Sequence, residues 1–247
     1  MSRISEYQIK LRSLDQWDEY LLKESGLPGP RGNIELAQAV ANEGNNQLFE
    51  RYLAYTADIA PVNSPYEFLA FCGAVGLGRL LAEGDPSLLK TLRLLASDPR
   101  WRMREAVAMA LQRLGDVNMA QLIEAMQIWS HGNWLEQRAA AAALCEPRLL
   151  MNAQDAAETL RVLDEIMNIL MQSADRRGDD FKALRKGLGY CWSVAVAALP
   201  IEGKRYMEKW LVNPDKDVQW IMQENLKKNR LVRMNTEWVQ RWRKTGA

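Results

Sequence analysis

Apolar residues recur every three or four positions along most of the chain, with polar residues between them. Met103, Val107, Ala110, Leu111 and Leu114 follow this spacing in one segment. Such spacing places the apolar side chains on one face of an α-helix. Runs that alternate apolar and polar residues, which would indicate β-strands, are almost absent. The pattern therefore predicts an all-α protein.

The same spacing predicts helices in nearly every part of the chain. Residues 26–32 are an exception, because three glycines and two prolines resist helix formation there. Asp179 or Asp180 is placed to cap the helix that follows, and Pro200 is predicted to close that unit. The predicted helical segments are 3–24, 34–57, 66–83, 85–95, 99–114, 118–129, one that begins near Asn133, 153–173, 181–194, 215–226 and 236–244.

A segment that nearly repeats itself shows how these helices are organised. Residues 97–111 align with residues 130–144 at an interval of 33, so that Trp101 falls on Trp134 and Leu111 on Leu144. A period of this size is typical of stacked supersecondary units that share one continuous core. Each period holds a helix, a turn and a second helix. The expected fold is an α-solenoid of antiparallel helix pairs.

A chain of 247 residues can form one elongated repeat domain or two compact ones. We predict an N-terminal helix and a Gly/Pro linker in residues 1–32, followed by a helical repeat domain in residues 33–247. Near the C-terminus, Trp238 and Trp242 are four residues apart and share a helix face. They are candidates to cap the open end of the repeat core.

The net charge of +1 conceals an uneven distribution. Residues 1–175 carry 16 basic and 23 acidic side chains, a net charge of −7, whereas residues 176–247 carry 16 basic and 8 acidic side chains, a net charge of +8. A basic C-terminal third can attract phosphates or an acidic protein surface. It can equally be an ordinary solvated face, and both interpretations stay open.

Metal and cofactor chemistry find little support in the sequence. The three cysteines are far apart in apolar helical segments, which favours buried, reduced thiols over disulfides or metal ligands. His131 is the single histidine, which argues against zinc sites and histidine-based catalysis. The glycine-rich tract 73–78 lacks the features of a phosphate loop and indicates tight helix packing. We expect no metal and no cofactor.

Nothing in the sequence indicates a membrane protein. The N-terminus lacks the apolar core of a signal peptide. The longest apolar stretch, residues 68–77, is too short to span a bilayer. We expect a soluble cytoplasmic protein without a membrane partner.

The run Asp98-Pro99-Arg100-Trp101, followed by Arg104-Glu105-Ala106 and alanine-rich helices, resembles HEAT repeats. The resemblance covers residues 97–145 best and extends more weakly over 65–230. It implies a right-handed superhelical stack of helix pairs. It also implies that a concave surface recognises a macromolecule without catalysis.

Two stretches, 134–140 and 180–192, resemble the HEAT-like DNA alkylation repair glycosylases. That resemblance implies a groove in which tryptophans and an aspartate handle a damaged nucleotide without a metal. Carried over, it would place Trp101 and Trp134 in the groove. The residues that would meet phosphates are Arg138, Lys182, Arg185 and Lys186. No aspartate stands in the helix after Trp101, and the nearest carboxylate is Glu105, which becomes the candidate catalytic residue.

These residue types suit that chemistry. A carboxylate can stabilise the positive sugar that develops as a glycosidic bond breaks, and cations hold phosphates. Trp101 and Glu105, four residues apart, would share a helix face. Each candidate also has a structural role open to it: core packing for Trp101 and Trp134, a surface ion pair for Glu105, and a bond to a neighbouring loop for Arg138.

The densest basic cluster lies near the C-terminus, and its candidate binding residue is Lys227. Aromatic residues interleave with the cations, a combination that suits nucleic acid and also suits the capping unit of a solenoid. The cluster consists of Lys204, Arg205, Lys227, Lys228, Arg230 and Arg233, with Tyr206, Trp210 and Trp220 among them.

The leading hypothesis is therefore a non-enzymatic binding scaffold. The alternatives are a DNA glycosylase that releases damaged bases, and an adaptor or maturation factor within a larger complex. Whether the partner is protein or DNA stays open. No small-molecule cofactor is expected in any of these cases.

Overall fold

The computed structural model describes residues 2–245. In this part of the chain it contains fifteen α-helices, one short 3₁₀ helix and no strand, which confirms the all-α prediction. The 3₁₀ helix is Pro147–Leu150. The α-helices are α1 Arg3–Arg12, α2 Asp18–Glu24, α3 Ile34–Glu43, α4 Asn46–Leu53, α5 Pro65–Ala82, α6 Leu88–Leu95, α7 Trp101–Val117, α8 Met119–Trp129, α9 Trp134–Leu144, α10 Ala153–Gln172, α11 Asp179–Ala198, α12 Pro200–Leu211, α13 Lys216–Leu226, α14 Asn229–Met234 and α15 Thr236–Thr245.

The helices fall into two compact units, Met1–Val117 and Asn118–Ala247. The first contains α1 to α7 and the second contains α8 to α15. Helix α1 packs against α3 in the first unit, so the N-terminal segment contributes to that core. The boundary expected at residue 32 stays a prediction.

In the first unit, α1, α3, α5 and α7 pack one on the next and form a layer. Helix α4 packs against α5, and α6 packs against both α5 and α7. Every residue of α5 from Glu67 to Gly78 is buried, since α5 has helices on several sides.

Glycines allow this close approach. A Cβ on Gly76 would lie 2.4 Å from the Phe49 ring, and one on Gly78 would lie 2.4 Å from Cα of Ala110. Real Cβ atoms do not approach other carbon atoms this closely. The tight helix packing predicted for residues 73–78 is confirmed.

The second unit repeats one arrangement three times. The pairs α8/α9, α10/α11 and α12/α13 each pack internally. Helices α9, α11 and α13 stack in one layer, and α8, α10 and α12 contact one another in the same order. This unit is therefore built of stacked helix pairs, as the sequence repeat predicted.

The 33-residue interval is the distance in sequence between the starts of two corresponding helices, α7 and α9. Trp101 is the first residue of α7 and Trp134 is the first residue of α9. These are the second helices of two successive pairs, α6/α7 and α8/α9. The residues predicted to face inward from α7 are buried, as are Val218, Ile221 and Met222 of α13.

Two segments predicted as single helices are each divided, so those predictions are wrong. Residues 3–24 form α1 and α2, because the Trp17 indole N–H donates to the Leu11 carbonyl at 3.0 Å and stabilises a turn. Residues 34–57 form α3 and α4, because Gly44 ends one helix and Asn45 begins the next. The side chain of Asn45 accepts a hydrogen bond from the backbone N–H of Leu48 at 2.9 Å.

Of two predictions about helix ends, one is incomplete and one is wrong. Helix α11 ends at Ala198, just before Pro200 as predicted, but Pro200 also begins α12, since its fixed φ suits the first turn of a helix. Gly178 occupies the capping position of α11, so Asp179 and Asp180 lie within its first turn. There their carboxylates interact favourably with the helix dipole.

The last described helix is α15, and its position supports the capping role predicted for Trp238. Trp238 is 5% exposed, and its indole N–H donates to Glu208 at 2.6 Å. Helix α15 packs against α13 and α14. Over residues 2–245, no helix combines the length and the apolar character needed to cross a bilayer.

Candidate functional site

The first unit contains an apolar pocket of about 270 Å³. Three separate parts of the sequence form it: the loop before α3, the first half of α5 and the first half of α7. The lining residues are Leu27, Pro30, Arg31, Gly32, Ile34, Phe68, Phe71, Trp101, Arg102, Glu105 and Met109.

Helix α7 contributes the wall that carries the predicted site residues. Trp101, Glu105 and Met109 follow one another at four-residue intervals and all line the pocket. The structure thus brings Trp101 and Glu105 together. Trp101 is 45% exposed, whereas Glu105 and Met109 are half-buried.

Two stacked phenylalanines contribute the wall from α5. The ring centroids of Phe68 and Phe71 lie 6.3 Å apart with an angle of 9° between the ring planes. Both side chains are buried. Leu27 of the loop is also buried, so much of the pocket surface is aromatic or aliphatic.

The loop that supplies the third wall is fixed by hydrogen bonds. The Arg102 guanidinium donates to the Gly29 carbonyl at 2.7 Å and to Oδ1 of Asn63 at 3.2 Å. The Gly29 N–H donates to the same Oδ1 at 2.9 Å. Asn63 has a φ of 70°, a left-handed conformation that asparagine tolerates better than most residues. The glycine- and proline-rich segment is therefore part of the pocket wall.

Arg102 also takes part in a buried ion pair. Its Nη1 lies 3.2 Å from Oε2 of Glu67, and the two side chains are 6% and 0% exposed. The backbone N–H of Asn63 donates to the same Oε2 at 2.7 Å. Within the described chain, Oε1 of Glu67 and Nε of Arg102 have no hydrogen-bond partner. Removing either side chain of this pair would leave the other as an uncompensated buried charge, which strongly destabilises a protein.

The Arg102 guanidinium also holds the indole of Trp101. Its central carbon lies 4.4 Å from the centroid of the Trp101 ring. This cation–π contact fixes the ring orientation. Because Trp101 is nevertheless 45% exposed, the pocket presents a positioned aromatic surface to solvent.

The other predicted site residues belong to the second unit. Trp134 packs against Phe181 with the rings edge to face, 5.5 Å between centroids. Cγ of Arg138 lies 3.4 Å from the position that a Cβ on Gly187 would occupy. These contacts place Trp134 and the Arg138 stem in the packing between α9 and α11.

Three of the cations predicted to bind a partner are ion-paired. Lys182 Nζ lies 2.8 Å from Asp179, and this contact holds the pKa of the Asp179 carboxyl below its usual value. Arg185 lies 2.9 Å from Asp217 and stacks on Trp220 with 4.1 Å to the ring centroid. The third, Lys227, pairs with Glu224.

Lys186 differs from these residues, because it is exposed and forms no ion pair within the described chain. Asp215 caps the start of α13 and is also ion-paired. Burial tends to raise the pKa of Asp215, but Arg176 at 2.8 Å and the backbone N–H groups of Val218 and Asp217 lower it overall. Neighbouring carboxylates thus partly neutralise the predicted positive surface.

Two parts of the pocket were not predicted from the sequence. Arg102 was not among the candidate residues, and its side chain is buried under the loop. The segment around Leu27 and Pro30 was predicted only as a linker. No local signal could have identified Arg102, because its guanidinium bonds to Gly29, Asn63 and Glu67, which lie 73, 39 and 35 residues away in the sequence.

The residues that the structure describes contain no group of three or more histidine, cysteine, aspartate or glutamate side chains placed to hold a metal ion. The three cysteines are free and buried. Burial raises the pKa of the Cys72 and Cys145 thiols. Cys145 also contacts Cys191.

Comparisons with known proteins add little to these observations. No family model matches the chain. No curated protein matches it either. A designed armadillo repeat protein of known structure is similar over 86% of this chain and 99% of its own, with 14% sequence identity and a TM-score of 0.32. A similarity this weak decides neither fold nor function. The resemblances to HEAT repeats and to the glycosylases stay predictions.

Proposed function

We propose that this chain is a binding scaffold that recognises a protein partner, and that the pocket beside Trp101 receives an apolar side chain of that partner. The observation that carries the proposal is the exposed, positioned indole at the mouth of an apolar pocket. Residues that dominate binding energy at protein interfaces are enriched in tryptophan and arginine and lie in or beside such pockets.

The construction of the pocket supports this role. Its walls come from two helices and a hydrogen-bonded loop, so it needs little ordering when a ligand enters. Preformed sites lose less conformational entropy on binding than flexible ones. A volume of about 270 Å³ suits one large side chain or a short apolar segment.

A random peptide library displayed against the whole chain would test the proposal. Selected peptides should carry an aromatic or large aliphatic residue. In titrations, Trp101→Ala should weaken their binding by about thirtyfold, the typical loss for a central interface residue. Leu94→Ala is the matched control, because Leu94 is 71% exposed and does not line the pocket.

The control variant should bind within about twofold of the wild type. Far-UV circular dichroism of both variants verifies their folding. Peptides that bind Trp101→Ala as tightly as the wild type would contradict the proposal. Selection of peptides without a shared apolar residue would contradict it as well.

One observation favours the alternative of a DNA glycosylase: Trp101 and Glu105 line one pocket. The ion pairs of Lys182, Arg185 and Lys227 weigh against it, because cations already neutralised gain less from phosphates.

A fluorescence polarisation titration with a DNA duplex, with and without an alkylated base, separates the two proposals. A glycosylase predicts salt-sensitive binding that prefers the damaged duplex. It also predicts that Glu105→Gln abolishes base release while binding is retained. Base release that survives the substitution would remove Glu105 from the mechanism.

A further inference from the structure

A second surface, in the second unit, surrounds the exposed ring of Tyr190. Tyr190 lies on α11 and is 44% exposed. Lys186 precedes it by one helical turn on the same face. Lys228 and Arg230 approach from the start of α14, with Nζ of Lys228 5.8 Å and the guanidinium carbon of Arg230 4.7 Å from the ring centroid. We call these four residues the Tyr190 patch.

The patch is organised in advance. Arg230 stacks on the ring of Tyr190 and donates a hydrogen bond to its phenolic oxygen. Both side chains therefore lose less conformational freedom when a ligand binds. The phenolic O–H of Tyr190 donates to no acceptor in the described part of the chain, so it remains available to an incoming oxygen.

The cations of the patch lack carboxylate partners. Neither Lys186, Lys228 nor Arg230 forms an ion pair with any residue that the structure describes. Residues 176–247 also carry a net charge of +8. Three unneutralised cations around one phenol create a local positive potential that attracts an anionic group.

The surroundings of the patch limit the size of that anion. On α11, Lys182 pairs with Asp179, and Arg185 pairs with Asp217 of α13. The adjacent Lys227 pairs with Glu224. A phosphate backbone that left the patch along α11 would meet these acidic side chains. The free positive charge is thus compact, which favours a short acidic segment over a long polyanion.

We propose that the Tyr190 patch binds a short segment of aspartate and glutamate residues from a protein partner. One carboxylate of the segment accepts from the guanidinium of Arg230 and from the phenol of Tyr190, and Lys186 and Lys228 contact its neighbours. Charge-assisted hydrogen bonds to a fixed arginine are among the stronger polar contacts in proteins. This surface is independent of the pocket beside Trp101.

Fluorescence polarisation with a labelled octaglutamate peptide tests the proposal on the whole chain. Octaglutamine and an oligothymidylate serve as comparison ligands. The wild type should bind octaglutamate more tightly than either one, with an affinity that falls as salt rises. The double variant Lys228→Gln/Arg230→Gln should weaken octaglutamate binding by at least about tenfold.

Three further variants show whether the Tyr190 patch itself binds the peptide. Tyr190→Phe keeps the ring but loses the hydroxyl, and should weaken binding by about threefold. Lys10→Gln/Lys90→Gln removes the same charge from exposed positions of the first unit and should leave binding unchanged. Trp101→Ala should also leave it unchanged, so the outcome does not depend on the pocket.

Equal weakening in the two double variants would show a general charge effect and overturn the proposal. Failure to bind octaglutamate at low salt would also overturn it. If the oligothymidylate binds more tightly than octaglutamate and loses affinity in Lys228→Gln/Arg230→Gln, the patch is a nucleic-acid surface and the proposal is wrong.

Discussion

Replacing Arg102 with methionine tests the interpretation of the pocket wall most directly. Methionine has a similar length and stays apolar against Trp101, but it lacks the guanidinium. The change removes a donor from the carbonyl of Gly29 and from the side chain of Asn63. It also leaves Glu67, which is 0% exposed, without its cation.

The structure sets the size of the effect. Removing one partner of a buried ion pair costs about 3–5 kcal/mol, because the remaining charge is stranded in a poorly solvated site. That is a large share of the roughly 5–15 kcal/mol that stabilises a typical domain. We therefore expect Arg102→Met to lower the unfolding free energy by roughly 3–5 kcal/mol at pH 7.

A second substitution shows whether stranded charge is the cause. Glu67→Gln in the Arg102→Met background removes the charge but keeps an oxygen for the backbone N–H of Asn63. This should recover about 2 kcal/mol of the loss. Urea unfolding, followed by tryptophan fluorescence and circular dichroism together, measures all three proteins. Coincident curves establish that a single free energy describes the transition.

Two results would refute the reasoning. One is a loss of unfolding free energy below about 1 kcal/mol for Arg102→Met. A loss that small is no larger than that of an average point substitution. The other is a double variant less stable than Arg102→Met alone. Either result would mean that the loop is held by contacts other than the guanidinium.

Three smaller predictions follow from other contacts. Gly78→Ala should destabilise the protein by about 1–3 kcal/mol in urea unfolding, because the added Cβ meets the backbone of Ala110 at 2.4 Å. A hydrogen bond from Arg51 lowers the pKa of the Asp18 carboxyl below 3.8. The ionised carboxylate therefore stabilises the fold above that pH, and this stabilisation is lost as the pH falls. Asp18→Asn should cost about 0.5–1 kcal/mol at pH 6, and the difference in stability between the two proteins should shrink as the pH falls below 3.8. Burial raises the thiol pKa of Cys72 and Cys145, so a thiol-reactive disulfide reagent at pH 8 should modify them only after denaturation.

Much of the fold was predictable because helix formation depends on local periodicity. The buried positions of α13, such as Val218 and Ile221, follow from spacing alone. The breaks in the N-terminal helices were not predictable in the same way. The turn before α2 depends on a hydrogen bond from the Trp17 indole N–H to the Leu11 carbonyl. This bond does not alter the spacing of apolar residues along the chain.

The site was predictable only where its residues are close in sequence. Trp101 and Glu105 are one helical turn apart, so their shared face followed from their spacing. The burial of Arg102 depends on Gly29 and Glu67, which are 73 and 35 residues away. Pairings over such distances are set by tertiary packing, and the neutralisation of Arg185 by Asp217 has the same origin.

The three-part construction of the pocket also links ligand binding to thermal stability. Because residues 27–34, 68–71 and 101–109 meet only when the first unit is folded, a ligand that fills the pocket binds the native state and not the unfolded chain. Such a ligand at a hundred times its dissociation constant would add about 2.7 kcal/mol to the unfolding free energy. A compound or peptide collection can therefore be screened by melting temperature, with Trp101→Ala as the reference protein.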